Sequence, residues 1–185
     1  YFTRSSNGAW LSEIVSLSNV RPGASLHISA SESLISFSTV NSQDLMVARK
    51  TTSTWTIVTV DASADSVGRD SSIGVSPNSL AAIAYFDESN KKLKVAISTD
   101  RQNWSVESID FPGAKFGKLP QLVWLTNSEL SILASDVIQD SNVGGQGIFH
   151  AQRSPTGQWS LEQLGYPGEA TQIGKFVASA SNRNS

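Results

Sequence analysis

Alternation of apolar and polar residues dominates this chain. From position 68 the pattern runs Ser72-Ile73-Gly74-Val75, Leu80-Ala81-Ala82-Ile83-Ala84-Tyr85, Leu93-Lys94-Val95-Ala96-Ile97 and Trp104-Ser105-Val106-Glu107-Ser108-Ile109. Turn formers separate these runs: Ser76-Pro77-Asn78, Asp87-Glu88-Ser89-Asn90 and Asp100-Arg101-Gln102-Asn103. Period-2 runs bounded by such clusters predict short strands joined by tight turns. The preceding unit predicts strands over 25–29, 33–39, 44–50 and 55–61. The following one predicts 121–126, 130–136, 147–154 and 159–164. The segment 12–20 reads as an outer strand and its exit.

The units are copies of one module. Trp10, Trp55, Trp104 and Trp159 recur 45, 49 and 55 residues apart. Six residues before each stands Arg4, Arg49, Ser98 or Arg153, and three after each stands Glu13, Val58, Glu107 or Glu162. A glycine follows 13 to 15 residues later, at Gly23, Gly68, Gly117 or Gly174. Such self-similarity marks a repeat architecture, and four antiparallel strands per unit mark a β-propeller blade. The predicted fold is all-β: three complete blades (23–61, 68–110 and 117–165) and one split between the termini (1–16 with 174–185), in one domain spanning 1–185. A clasp blade of this kind leaves three arrangements open. They are a four-blade ring, a segment of a longer propeller, and two copies joined end to end.

Composition narrows the function. Charged residues are 16% of the chain and the formal net charge is −2, so nucleic acid is not an expected partner. Lys91, Lys92 and Lys94 beside Asp87 and Glu88 read as a solvated hairpin end. The chain has no cysteine, which excludes disulfides and thiolate metal sites. His27 and His150 each stand alone in a strand. The oxygen donors Asp136 and Asp140 have irregular spacing for Ca²⁺, so no metal or cofactor is expected. No apolar run reaches the ~20 residues of a membrane span. Heavy serine use and a start at Tyr1 rather than Met point to an exported, processed form or a fragment. Asn103-Trp104-Ser105 is a glycosylation sequon.

The repeated triad suggests two roles. Arg six residues before Trp can face it across a hairpin, giving a cation–π pair that caps an indole packed between blades. The same groups suit saccharides, because an indole stacks on a sugar face while Arg and Glu fix its hydroxyls. The candidate ligand-binding residues are Arg4, Trp10, Glu13, Arg49, Trp55, Trp104, Glu107, Arg153, Trp159 and Glu162. The first functional expectation is non-catalytic, lectin-like recognition of a glycan or glycoprotein outside the cell. Alternatives are a glycosidase-like enzyme and a protein-interaction scaffold.

Ser98-Thr99-Asp100-Arg101-Gln102-Asn103-Trp104 resembles the Asp-box turn of sialidase-type propellers, although the motif's Gly is absent and the spacing is one residue short. The blade pattern also resembles the fungal fucose-lectin-like propellers. A sialidase-like activity implies an arginine cluster, a Tyr nucleophile with a Glu base, and an acid Asp. Arg21, Arg69, Arg101 and Arg183 form no evident set in sequence. Tyr85, beside Asp87 and Glu88, is the best-placed tyrosine.

Overall fold

The computed structural model describes residues 1–15, 19–63, 66–110, 116–136 and 147–164. It contains three four-stranded antiparallel sheets and one two-stranded sheet. The hairpin pairs β1 (Phe2–Arg4) with β2 (Trp10–Ser12). Blade one is β3 (Ser25–Ile28), β4 (Ser33–Ser38), β5 (Leu45–Lys50) and β6 (Trp55–Asp61). Blade two is β7 (Val67–Val75), β8 (Ala81–Asp87), β9 (Lys92–Ser98) and β10 (Ser105–Ile109). Blade three is β11 (Phe116–Trp124), β12 (Leu130–Asp136), β13 (Ile148–Arg153) and β14 (Trp159–Gln163). Strands follow chain order within each blade. The C-terminal part of the proposed split blade, 174–185, and the oxygen donor Asp140 lie outside the described residues. The outer strand β2 stops at Ser12, and among the described residues of the rest of that segment Val20 bridges antiparallel to Thr39.

Alternation in β8 explains how blade two is sandwiched. Ala82 and Ala84 pack toward blade three with Leu122, Trp124, Leu130, Ile132 and Ala134. Ala81, Ile83 and Tyr85 pack toward blade one with Leu34, Leu45 and Val47. A strand covered on both faces reads as a continuous apolar run, and small alanines let the neighbouring blades approach. Trp124, outside the Trp series, is buried in this core.

Strands β3, β7 and β11 lie beside one another, which makes them the axial strands. Serine stitches them: Ser25 Oγ accepts from Ile73 N at 3.2 Å and Ser72 Oγ from Leu122 N at 3.1 Å. Ser36 and Ser71 share a buried hydrogen bond of 2.8 Å. Part of the heavy serine use is therefore seam chemistry. The recurring glycine has a steric cause. A Cβ on Gly68 would meet Leu45 Cα at 2.7 Å, and one on Gly117 would meet Leu93 N at 2.7 Å. The axial strands β7 and β11 each cross the third strand of the preceding blade too closely for a side chain.

Candidate functional site

Two regions gather the polar side chains. The first is the outer edge, where the repeated triad lies. Spacing of three along a strand puts two side chains on opposite faces. Trp159 and Glu162 therefore face different neighbours, as do Trp104 and Glu107. Cross-strand partners share a face, and Arg153 stands opposite Trp159 as Arg4 stands opposite Trp10.

The result is a link between successive blades. Glu107 of blade two accepts from Trp159 Nε1 of blade three at 2.7 Å and from Arg153 Nη2 at 3.0 Å. Glu13, after the first hairpin, accepts from Trp55 Nε1 at 2.9 Å and from Lys50 Nζ at 2.6 Å. Hydrogen bonds from Lys50 and Trp55 hold the Glu13 carboxyl below its ordinary value. Burial raises Glu107, but bonds from Arg153 and Trp159 outweigh it and lower the group.

Two expectations need correction here. Arg49 does not face Trp55. The turn in blade one is a residue shorter, so Lys50 stands opposite Trp55 and Arg49 opposite Thr56. No arginine stacks on an indole among the described residues; the cation near one is Lys50, 5.9 Å from the Trp55 ring. The Arg–Trp partnership runs instead through a shared carboxylate.

The seam between blades one and two is different. Val58 occupies the Glu position, Ser98 the cation position, and Trp104 Nε1 is buried without a partner. Its ion pairing is relocated to Glu32, which accepts from Arg49 Nε at 2.8 Å and from Arg101 Nη2 at 2.7 Å. Arg101 also donates to the Ser79 carbonyl at 2.7 Å, so it is a buried bolt and not a turn decoration. The turn that holds it closes like an Asp-box. Asp100 accepts from Gln102 N and Asn103 N at 2.8 Å, which drives its carboxyl far below the usual range. The sequon's Asn103 Nδ2 is engaged with Asp100 at 2.8 Å.

The second region is the axial end where β7 begins. One non-glycine residue in each of β7 and β11 is left-handed, Asp70 (φ 53°) and Leu119 (φ 49°), each two positions after a left-handed glycine, Gly68 (φ 81°) or Gly117 (φ 130°); Gly23 (φ 99°) precedes β3. Asp70 and Leu119 fall where the register slips, which marks a bulge. Bulges re-aim side chains and are common beside functional sites. Blade two alone puts a carboxylate there. Asp70 is half-buried, lies against Gly23, and has no hydrogen-bond partner among the described residues. Burial pushes its carboxyl up; Arg69 and Lys118 oppose this and Glu88 adds to it.

Glu88 is the counterpart. It accepts from Arg69 Nη1 at 2.9 Å, Ser66 Oγ at 3.0 Å and Arg21 Nη1 at 3.5 Å, and Arg21 reaches Gln43 Oε1 at 2.7 Å. Burial raises Glu88, but Ser66, Arg69 and Arg21 prevail and lower it. Arg21 and Arg69, which form no set in the sequence, therefore meet on one carboxylate. Asp70 is invisible to repeat alignment because stacking Gly23, Gly68 and Gly117 sets Ser25 and Leu119 at its position. The usable signal is the run Gly68-Arg69-Asp70, with two charges at a repeat glycine.

Tyr85 is no nucleophile. It is fully buried, donates to Asp61 Oδ2 at 2.6 Å, and burial drives its phenol far above the ordinary value. Lys94 is not solvated either: its Nζ donates to Asp61 Oδ2 at 2.5 Å and Ser63 Oγ at 2.7 Å. His150 bridges Ser131 Oγ at 2.8 Å and Glu162 at 2.7 Å. No group of three metal-ligating side chains occurs among the described residues.

With this geometry the chain is a β-propeller, built from four-stranded antiparallel blades. Its fold is similar to that of solved glycoside hydrolases of families 43 and 93. An α-L-arabinofuranosidase of Fusarium graminearum matches 76% of this chain with 47% of its own, at 13% identity and a TM-score of 0.57. A thermostable family-43 glycoside hydrolase matches 82% with 52% of its own, at 11% identity and a TM-score of 0.53. An exo-β-1,3-galactanase of Phanerochaete chrysosporium matches 80% with 36% of its own, at 18% identity and a TM-score of 0.51. The chain thus spans about half the length of the arabinofuranosidase. No family model matches it, and no curated protein matches it in sequence.

Proposed function

We propose that this chain is a carbohydrate-active propeller segment of glycosidase type, with Asp70 as its reacting carboxyl. The observation that carries the reading is Asp70 itself. It is a half-buried carboxylate on an axial strand, aimed by a strained bulge, with no hydrogen-bond partner among the described residues. Strain and an unpaired polar group both reduce stability, so their coincidence is the mark of a functional position.

The chemistry suits glycoside cleavage. Such enzymes flank the scissile bond with two carboxyls, one protonated and one ionised. Here the environments push the two groups apart, Asp70 up and Glu88 down, and such a split assigns the roles. Asp70 donates a proton to the leaving glycosidic oxygen as its bond to the anomeric carbon breaks; a water molecule bonds to that carbon and gives up a proton, which restores the Asp70 acid. Glu88 stays ionised, orients Arg69 and Arg21, and disfavours the charge on Asp70. Arg69, Lys118 and Gln43 supply donors and acceptors for hydroxyls. Arabinofuranosyl and β-1,3-galactosyl oligosaccharides, the sugars of the similar propellers, are the first to test.

The experiment compares wild type with Asp70→Asn on aryl arabinofuranosides, aryl galactosides and the matching oligosaccharides. The expected result is a loss of turnover of about 10²–10⁴ with binding retained. Equal turnover by the two proteins, or no binding and no turnover in wild type, overturns the reading.

Non-catalytic recognition at the outer edge is the second reading. One observation favours it: Trp10 is 69% exposed and stands opposite Arg4. Glycan binding that disappears in Trp10→Ala but survives Asp70→Asn selects it.

A further inference from the structure

We infer that blade three carries an esterase centre of its own, in which Ser131, His150 and Glu162 form a nucleophile–base–carboxylate triad that cleaves esters of short carboxylic acids. The inference is independent of the axial acid, because all three side chains come from β12, β13 and β14 of one sheet and not from the mouth. Ser131 Oγ and His150 Nε2 are 2.8 Å apart, and His150 Nδ1 lies 2.7 Å from Glu162 Oε1. An N–H on Nδ1 that donates to Glu162 leaves Nε2 to accept from the Ser131 hydroxyl. A base within hydrogen-bond reach of a hydroxyl, and itself oriented by a third group, is the mark of an activated nucleophile.

Strand register brings the three together. Glu162 stands directly opposite His150. Ser131 stands opposite Gln152, one diagonal step from His150 on the same face. The repeat shows that the set is not there for packing. The same positions hold Leu34, Val47 and Val58 in blade one, and Ala82, Val95 and Glu107 in blade two. Leu34, Val47, Ala82 and Val95 are buried in the cores between blades. Blade three alone of the three described blades sets a hydroxyl, an imidazole and a carboxylate there. Ser131 is half-buried, and the side chains of His150 and Glu162 are 22% and 61% exposed.

The neighbours define the substrate. Val123 stands opposite Ser131, and Leu133 opposite His150. Both are half-buried and offer a small apolar seat for an acyl chain. Gln152 Nε2 gives one hydrogen to Glu129 Oε1 at 2.7 Å and keeps a second for an oxyanion. In the reaction, Ser131 Oγ bonds to the carbonyl carbon of the ester while His150 Nε2 takes the hydroxyl proton. The oxyanion accepts from Gln152 and then re-forms the carbonyl. The bond to the alcohol oxygen breaks, and His150 gives that oxygen its proton. A water molecule then bonds to the acyl carbon and passes a proton to His150. The bond to Ser131 Oγ breaks, Oγ takes that proton, and the carboxylic acid leaves. Ser131 and His150 are the catalytic residues, and Glu162 is a positioning residue that acts through His150.

The test treats the full chain with diisopropyl fluorophosphate, locates the adduct by peptide mass spectrometry, and follows hydrolysis of p-nitrophenyl acetate. The adduct is expected on Ser131 in wild type and absent in His150→Gln. Hydrolysis should fall about 10²-fold in Ser131→Ala and in His150→Gln, the loss typical of a missing proton-transfer partner. Glu162→Gln should lower kcat about tenfold at unchanged KM, because an exposed carboxylate orients the ring less firmly than a buried one. Glu162→Asp should recover part of that loss, which a purely structural role would not do. The wild-type adduct needs no variant to fold, so it decides the question alone. No adduct, an adduct on another residue, or Ser131→Ala hydrolysing as fast as wild type would each overturn the inference.

Discussion

At the outer edge, Glu107 accepts from Arg153 and Trp159, and Glu13 from Lys50 and Trp55. At the axial mouth, Asp70 accepts from nothing among the described residues, although two cations and a carboxylate stand near it. The edge uses its acids to satisfy the donors of the next blade, and the mouth leaves one acid unsatisfied. Opposite pKa directions follow: the edge carboxyls are lowered and Asp70 is raised. Repetition thus identifies what holds blades together, and the exception to repetition identifies what the propeller can act with. The middle seam sharpens the contrast, since it omits the Glu link and buries Glu32 between Arg49 and Arg101 instead.

The strongest way to break the structural side of this contrast is at that buried bolt. Arg101→Ala leaves Glu32 buried with half of its partners gone. Removing one member of a buried pair typically costs about 3–5 kcal/mol. Urea denaturation should show a loss of that order, and Asp70→Asn nothing comparable. A loss under about 1 kcal/mol would mean that Glu32 is solvated.

A smaller effect is expected at the Glu107 link. Its carboxylate is about one-third exposed, so Glu107→Val should cost about 1–2 kcal/mol, less than a fully buried charged bond. The middle seam shows that Val and Ser together are tolerated at these positions. Adding Arg153→Ser to Glu107→Val should therefore cost less than the sum of the two single changes. A double-mutant cycle measures this, with a coupling of about 0.5 kcal/mol or more for residues in contact. Strict additivity would show that the link is geometric only.

The fold was largely legible because strand patterning is local. Period-2 alternation located twelve strands of the three blades, and Trp spacing grouped them. The links were half legible. Glu three residues after Trp is a two-face signature in a strand, but the Trp and Glu that meet belong to different repeats, and alignment stacks repeats without joining them. Arg49 was misplaced because a one-residue change in turn length moves the facing position to Lys50. Lys94 read as a solvated charge and Arg101 as a turn residue because their partners, Asp61 and Glu32, lie 33 and 69 residues away. Asp70 was the least legible: a bulge decides its direction, and its one mark in the sequence is the pair of charges after the repeat glycine Gly68.

The smallest expected effect is also the one that separates the two regions by sign. A lowered carboxyl such as Glu107 stabilises the fold above its unfolded value of 4.5. That contribution disappears as pH falls through the folded value. Asp70 works in reverse. Its raised folded value favours the protonated form, so its contribution is full below the ordinary 3.8 and is lost as pH rises through the folded value. Asp70→Asn copies the protonated form at every pH. It should match wild type in stability at pH 3 and exceed it at pH 7, by on the order of 0.5 kcal/mol, as a relaxed functional site does. Thermal melts at the two pH values measure the difference. A variant less stable than wild type at pH 7 would mean that the Asp70 carboxylate holds the blades together, and the contrast between edge and mouth would fall with it.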